Sequence, residues 1–193
     1  RPILLNLWYP AAPDSGRAMN VDDYLQVRAA ELTPADRCFA DLLERHVRSD
    51  FAQETLGREP QFLDQKLLAR LPPMLAQEVF ARQEAKALVA IYPLVLAHPG
   101  LGGAFADNFV LYEYLASHGY VVISSAFQSA AAKELYIEWQ PATSIPDLDV
   151  IVRWALENLH SSAVAVMGHS YGAQAALIYA MEGRPIDAAK AGN

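Results

Sequence analysis

The residues with the strongest claim to chemistry are Gly168-His169-Ser170-Tyr171-Gly172, which satisfy the spacing G-x-S-x-G. A serine hydroxyl is a weak nucleophile near neutral pH. It needs a base within hydrogen-bond reach and donors for the oxyanion that forms after attack. Glycines two before and two after the serine remove side chains that would clash in a sharp turn. A helix that starts at once behind the serine points its N-terminus at the reacting atoms. One oxyanion donor is then the backbone N–H of Tyr171. A second must come from another loop, and His98-Pro99-Gly100-Leu101-Gly102-Gly103 is the best candidate, because its glycines let backbone approach a ligand. The N–H of Leu101 is the first choice and that of Gly102 the next. A glycine-bounded turn without chemistry and a merely flexible loop near residue 100 are the plainer readings of the two segments.

The pentapeptide can act only if a strand delivers it and a helix follows. Ala163 to Met167 is a short apolar run of the kind buried parallel strands have, and Ala173 to Glu182 reads as a helix with Gly183 and Pro185 beyond it. Two further strand–helix pairs precede them. Pro93 to Ala97 and Tyr120 to Ser124 read as buried strands, and Asp107 to His118 as a helix stopped by Gly119. Ser144 to Asp147 resembles a capping box, and Leu148, Ile151, Val152, Ala155, Leu156 and Leu159 form one stripe of the helix it opens. Alternating strands and helices predict a mostly parallel sheet flanked by helices with right-handed crossovers.

Before that pattern lie a first strand, Ile3 to Tyr9, and a long helical region over residues 20–87. Asn20 caps a helix through Glu31, and Thr33-Pro34 caps one carrying Cys38, Leu42, Leu43 and Val47. Gln61 to Arg70 and Pro73 to Ala87 continue it, parted by Pro72-Pro73. Amphipathicity alone indicates packing, so the region is either a structural insertion or a lid over the site.

Gly-His-Ser-Tyr-Gly-Ala at 168–173, Pro-Gly-Leu-Gly-Gly at 99–103, Leu-Ala-Ser-His-Gly-Tyr-Val-Val at 115–122 and Leu-Trp-Tyr-Pro-Ala at 7–11 resemble α/β-hydrolases. The dienelactone-hydrolase-like branch that includes platelet-activating-factor acetylhydrolases is the nearest likeness. The resemblance covers residues 2–11 and roughly 92–183. It implies an α/β-hydrolase fold with Ser170 as nucleophile, Gly168, His169 and Gly172 as the elbow around it, and Tyr171 with Leu101 or Gly102 as oxyanion hole. It departs from that branch at Pro99-Gly100, where His-Gly is usual. A serine, where true dienelactone hydrolases have cysteine, favours an esterase or lipase-like reading.

The resemblance also implies the order nucleophile, acid, histidine. The five histidines are His46, His98, His118, His160 and His169, and none follows Ser170. His169 is expected to pack behind the turn. His118 and His160 read as helix-end residues. His98, near the mouth of the site, is a possible stand-in base. Asp187 lies too soon after the elbow helix to be the acid and reads as part of a strand from Ile186 to Ala189. With 23 residues after Ser170, the simplest expectation is a single incomplete domain over 1–193 whose last strands, acid and histidine lie beyond Asn193, inactive alone and open at a sheet edge.

Composition narrows the partners. A net charge of -7 and the absence of any basic block argue against nucleic acid. No apolar run reaches the roughly 18 residues of a membrane helix. The single cysteine, Cys38, allows no internal disulfide and reads as a small buried hydrophobe. No signal peptide is visible, but the chain opens at Arg1 without an initiator methionine, so the compartment is left open. No cofactor is implied, and no metal-binding spacing such as H-E-x-x-H is present. The leading expectation is hydrolysis of a small-molecule carboxylic ester through an acyl-enzyme on Ser170. An acyltransferase or peptidase of the same fold, and a ligand-binding member without catalysis, are the alternatives.

Overall fold

A computed structural model describes residues 3–28, 33–57, 65–101, 103–127 and 141–182. In chain order its elements are β1 (Asn6–Trp8), β2 (Arg17–Asn20), α1 (Val21–Tyr24), α2 (Pro34–Leu56), α3 (Gln65–Leu68), α4 (Leu71–Leu75), β3 (Glu78–Gln83), β4 (Leu94–His98), α5 (Phe109–Ser117), β5 (Val121–Ser124), α6 (Ile145–Asn158), β6 (Val164–Gly168) and α7 (Tyr171–Met181). A 3₁₀ turn, Pro141–Ser144, leads into α6. The chain divides into two compact units, one of residues 1–13 with 87–193 and one of residues 14–86.

The first unit is a four-stranded sheet in the order β1-β5-β4-β6. β4 pairs in parallel with both β5 and β6, and β1 joins β5 antiparallel. The parallel core follows from the sequence: a strand covered on both faces must be apolar at every position, and all five residues of β4 are buried. Because side chains alternate across a strand, Leu94 and Leu96 share one face. They join Ile123, Val164 and the α6 residues Ile145, Leu148, Ile151, Val152 and Ala155 in one apolar cluster, with Tyr179 from α7. Trp8 of β1 meets Tyr112 of α5 edge to face, with ring centroids 4.9 Å apart. Burying one leucine such as Leu96 contributes about 2 kcal/mol, so this cluster is a main tie between the sheet and the helices that cover it.

The second unit contains helices and a two-stranded antiparallel sheet of β2 and β3. α2 begins and ends where its residue types dictate. The Thr33 side chain accepts the Asp36 N–H, Pro34 occupies the first turn, and Gly57 closes the helix in the left-handed conformation with φ 72°. Leu43 and Val47 are its most buried residues. Asp23 binds this unit's start together: its carboxylate accepts the Asn20 N–H and both Arg17 and Arg28.

Five expectations require correction. The helix from Asn20 has its cap but stops at Tyr24, because the Val27 N–H donates to the Glu44 carboxylate and so leaves the helical ladder. The stretch Pro73 to Ala87 is not a helix: Pro72 and Pro73 sit inside the short α4, and Glu78–Gln83 is a strand. Its alternating burial is masked in sequence by the helix-favouring Glu, Ala, Arg and Gln it contains. Residues 20–87 are therefore not wholly helical. Ser144 forms no capping box, because its backbone (φ −79°, ψ −14°) is already helical and its side chain makes no cap bond. Cys38 is exposed rather than buried, being on the solvent side of α2. The proposed strand from Ile186 and the first four residues of the proposed helix from Gln61 lie outside the described residues.

Candidate active site

β6 ends at Gly168 and α7 begins at Tyr171, so Ser170 occupies the turn between a sheet strand and the helix behind it. The turn is sharp. Ser170 has φ 50° and ψ −115°, a conformation that non-glycine residues rarely adopt and that is stored only where surrounding structure enforces it. The enforcing bonds are local: Gly172 N–H to His169 C=O at 2.8 Å and Ala173 N–H to Ser170 C=O at 3.0 Å. Both glycines are needed for space. A Cβ on Gly168 would collide with the backbone of Gly172 and Ala173, and one on Gly172 with the carbonyl oxygens of His98 and Pro99. Ser170 itself is exposed.

The glycine-rich loop is brought to the same place. His98 pairs with Gly168 in the β4–β6 register, and the His169 N–H donates to the His98 carbonyl at 3.1 Å. A Cβ on Gly100 would stand 3.8 Å from the Ser170 Cβ and 3.2 Å from His169 Nδ1. The loop thus passes beside the serine, close enough that a methyl group on residue 100 would touch Ser170 and press on the His169 ring. The Gly103 N–H donates to the Gly100 carbonyl at 3.0 Å and closes a turn that carries Leu101, whose side chain is partly exposed. Gly102 lies outside the described residues. Tyr171 is the first residue of α7, and its phenol lies 3.3 Å from the Thr143 hydroxyl.

His98 is in the wrong environment for a general base. Its ring is 3% exposed and stacks on Phe127 with centroids 4.0 Å apart. Nδ1 lies 2.8 Å from the Pro99 carbonyl, which can only accept, so Nδ1 carries the hydrogen. Nε2 is buried and has no hydrogen-bond partner among the described residues. Burial lowers the pKa from 6.5 to about 4, against the opposing pull of the Pro99 carbonyl. The ring is therefore neutral and turned to the loop, not to the nucleophile.

His169 is exposed, not packed behind the turn as expected, because it lies along the bare side of Gly100. His118 caps α5, His160 follows α6 with φ 43°, and His46 belongs to α2 in the other unit. Asp187 lies outside the described residues. Sequence reading missed Phe127, which has φ 46° and covers the His98 ring; no motif marks it. Among the described residues, no group of three His, Cys, Asp or Glu is placed to hold a metal ion, and no helix is long and apolar enough to cross a membrane.

No family model and no curated protein matches the chain. Solved structures resemble it, among them the following two. A ferulic acid esterase from Streptomyces cinnamoneus superposes with a TM-score of 0.50 at 19% identity, over 93% of this chain and 48% of its own. A serine hydrolase of the α/β class without a lid, from Xanthomonas campestris, gives 0.38 at 23% identity, over 50% of this chain and 47% of its own. The chain spans about half the length of the structures it matches. A parallel core flanked by helices, matched by the esterase over nearly all of its length, makes this a chain of α/β-hydrolase fold.

Proposed function

We propose that the protein is a serine hydrolase that cleaves small-molecule carboxylic esters through an acyl-enzyme on Ser170. The observation that carries this reading is Ser170 with its positive φ at the end of β6, beside Gly100 of the glycine-rich loop. A reacting carbonyl held between them meets a nucleophile on one side and backbone donors on the other. In the first step Ser170 Oγ bonds to the carbonyl carbon, its proton passes to a base, and the oxyanion is held by the N–H groups of Tyr171 and Leu101 or Gly102. The base returns the proton to the departing alkoxide as the C–O bond breaks. Water then repeats the sequence and releases the acid.

We place the base and its acid partner outside these 193 residues. No histidine follows Ser170, His98 is committed to the Pro99 carbonyl, and the esterase it resembles is about twice as long. The ester class draws support from that esterase, and the finer likeness to the dienelactone-hydrolase-like branch from the motifs at 99–103, 115–122 and 168–173.

A fluorophosphonate probe tests the nucleophile in the full-length protein. The expected result is one labelled site that disappears in Ser170→Ala. Equal labelling of that variant would remove Ser170 from the mechanism, and no labelling of the wild type would favour a ligand-binding protein instead.

A further inference from the structure

The glycine loop is held at two points, and the second lies outside every motif. We propose that Asp107 is a positioning residue that fixes the oxyanion loop, an inference that rests on the reading of Ser170 as nucleophile. The turn closed by Gly103 N–H and Gly100 C=O carries the Leu101 donor, but one such bond leaves the downstream limb unrestrained. Asp107 supplies the restraint. Its Oδ1 accepts the Ala104 N–H at 2.7 Å, and its Oδ2 occupies the place a Cβ on Gly103 would take. The Asp107 N–H returns to the Ala104 carbonyl at 3.2 Å. Ala104, Phe105 and Ala106 are buried, whereas Asp107 is exposed, so this carboxylate is not there to fill the core.

The upstream limb has its own anchor, the His98 Nδ1–H on the Pro99 carbonyl at 2.8 Å. Leu101 lies between the two anchors. A backbone donor helps only if it stands within hydrogen-bond reach of the oxyanion without reorganising, and a misplacement of about 1 Å can cost on the order of 100-fold in rate. The side-chain oxygen that accepts the Ala104 N–H sets that position, by its placement rather than its charge. The glycine at 103 follows from the same geometry, since a side chain there would expel the carboxylate.

The test compares full-length wild type, Ser170→Ala, Asp107→Ala, Asp107→Asn and Asp107→Glu with 4-nitrophenyl acetate and a fluorophosphonate probe. Asp107→Ala is expected to lower kcat and the labelling rate by about 10- to 100-fold, with KM within about threefold, the pattern of a lost transition-state interaction. Asp107→Asn keeps an acceptor for Ala104 N–H and is expected to stay within about threefold of wild type. Asp107→Glu keeps the charge but moves the oxygens by one methylene. It should fall with the alanine variant, and serves in its place should that variant not fold. Unchanged kcat in both Asp107→Ala and Asp107→Glu overturns the proposal, as does a loss in Asp107→Asn equal to that in Asp107→Ala. Where wild-type turnover and labelling do not depend on Ser170, the nucleophile assignment fails first and takes the proposal with it.

Discussion

His98 lies flat on Phe127, the two rings 4.0 Å apart and 7° from parallel. Phe127 reaches that position only by adopting φ 46°, which is costly for a bulky residue. The pair therefore stores strain beneath the loop that faces Ser170, and the imidazole it covers is cut off from water.

This burial makes stability fall in mild acid. His98 has its pKa lowered to about 4, whereas in the unfolded chain it titrates near 6.5. Above 6.5 it is neutral in both states. As the pH falls from 6.5 towards 4 the unfolded chain binds the proton first, and stability drops by up to about 1.4 kcal/mol per pH unit. Denaturant titrations at about pH 7, 6 and 5 should show the decline. His98→Phe, which retains the stack without a titrating group, should flatten it. An equal slope in that variant would mean other groups are responsible.

The two elbow glycines should not tolerate a methyl group. Alanine at 168 or 172 would meet backbone atoms, which cannot move aside as a flexible side chain can. Gly172→Ala is expected to cost about 1–3 kcal/mol or more and to abolish fluorophosphonate labelling. Thermal unfolding and the labelling assay check both; a variant with wild-type midpoint and labelling would contradict the close approach of the loop.

Asp23 should be the key polar residue of the second unit. Its side chain is 6% exposed, and bonds from Arg17 first, with the Asn20 N–H and Arg28, hold its carboxyl below the usual carboxylate range. Asp23→Ala removes the acceptor of the Asn20 N–H in the capping box and one of several acceptors of Arg17 and Arg28, an expected loss of about 0.5–2 kcal/mol. Hydrogen exchange over residues 17–28 should accelerate accordingly. The depressed carboxyl also sets a sign: its stabilisation is present above about pH 4 and is lost as the pH falls below that value, once the folded carboxyl protonates.

Cys38, exposed on α2, should be alkylated by iodoacetamide in the native protein at a rate close to that in urea. Protection of the thiol until unfolding would show that this face of α2 is covered.

The elements nearest the serine were the most legible. β4, β5 and β6 are apolar at nearly every position; burial on both faces explains this for β4 and β5, whereas in β6 only Val164 is fully buried. The elbow was legible because each glycine has a steric reason to be there. β3 was not, since Glu78–Gln83 has helix-forming residues and becomes a strand only by pairing with β2, more than fifty residues earlier. The same holds for Phe127 and Asp107. A left-handed phenylalanine carries no sequence signature, and an aspartate before a helix reads as ordinary turn chemistry until its carboxylate is seen against Gly103.

The antiparallel seam between β1 and β5 joins Asn6 to Ser124 and Trp8 to Val122. Strand β1 is thus completed by a partner translated more than a hundred residues later, after the whole of the 14–86 unit. Contacts of such long sequence separation form slowly, because the intervening chain must be ordered before they repay its closure. Until β5 is made, Leu7 and Trp8 of β1 lack the strand that shelters them, and apolar surface left open in this way favours aggregation.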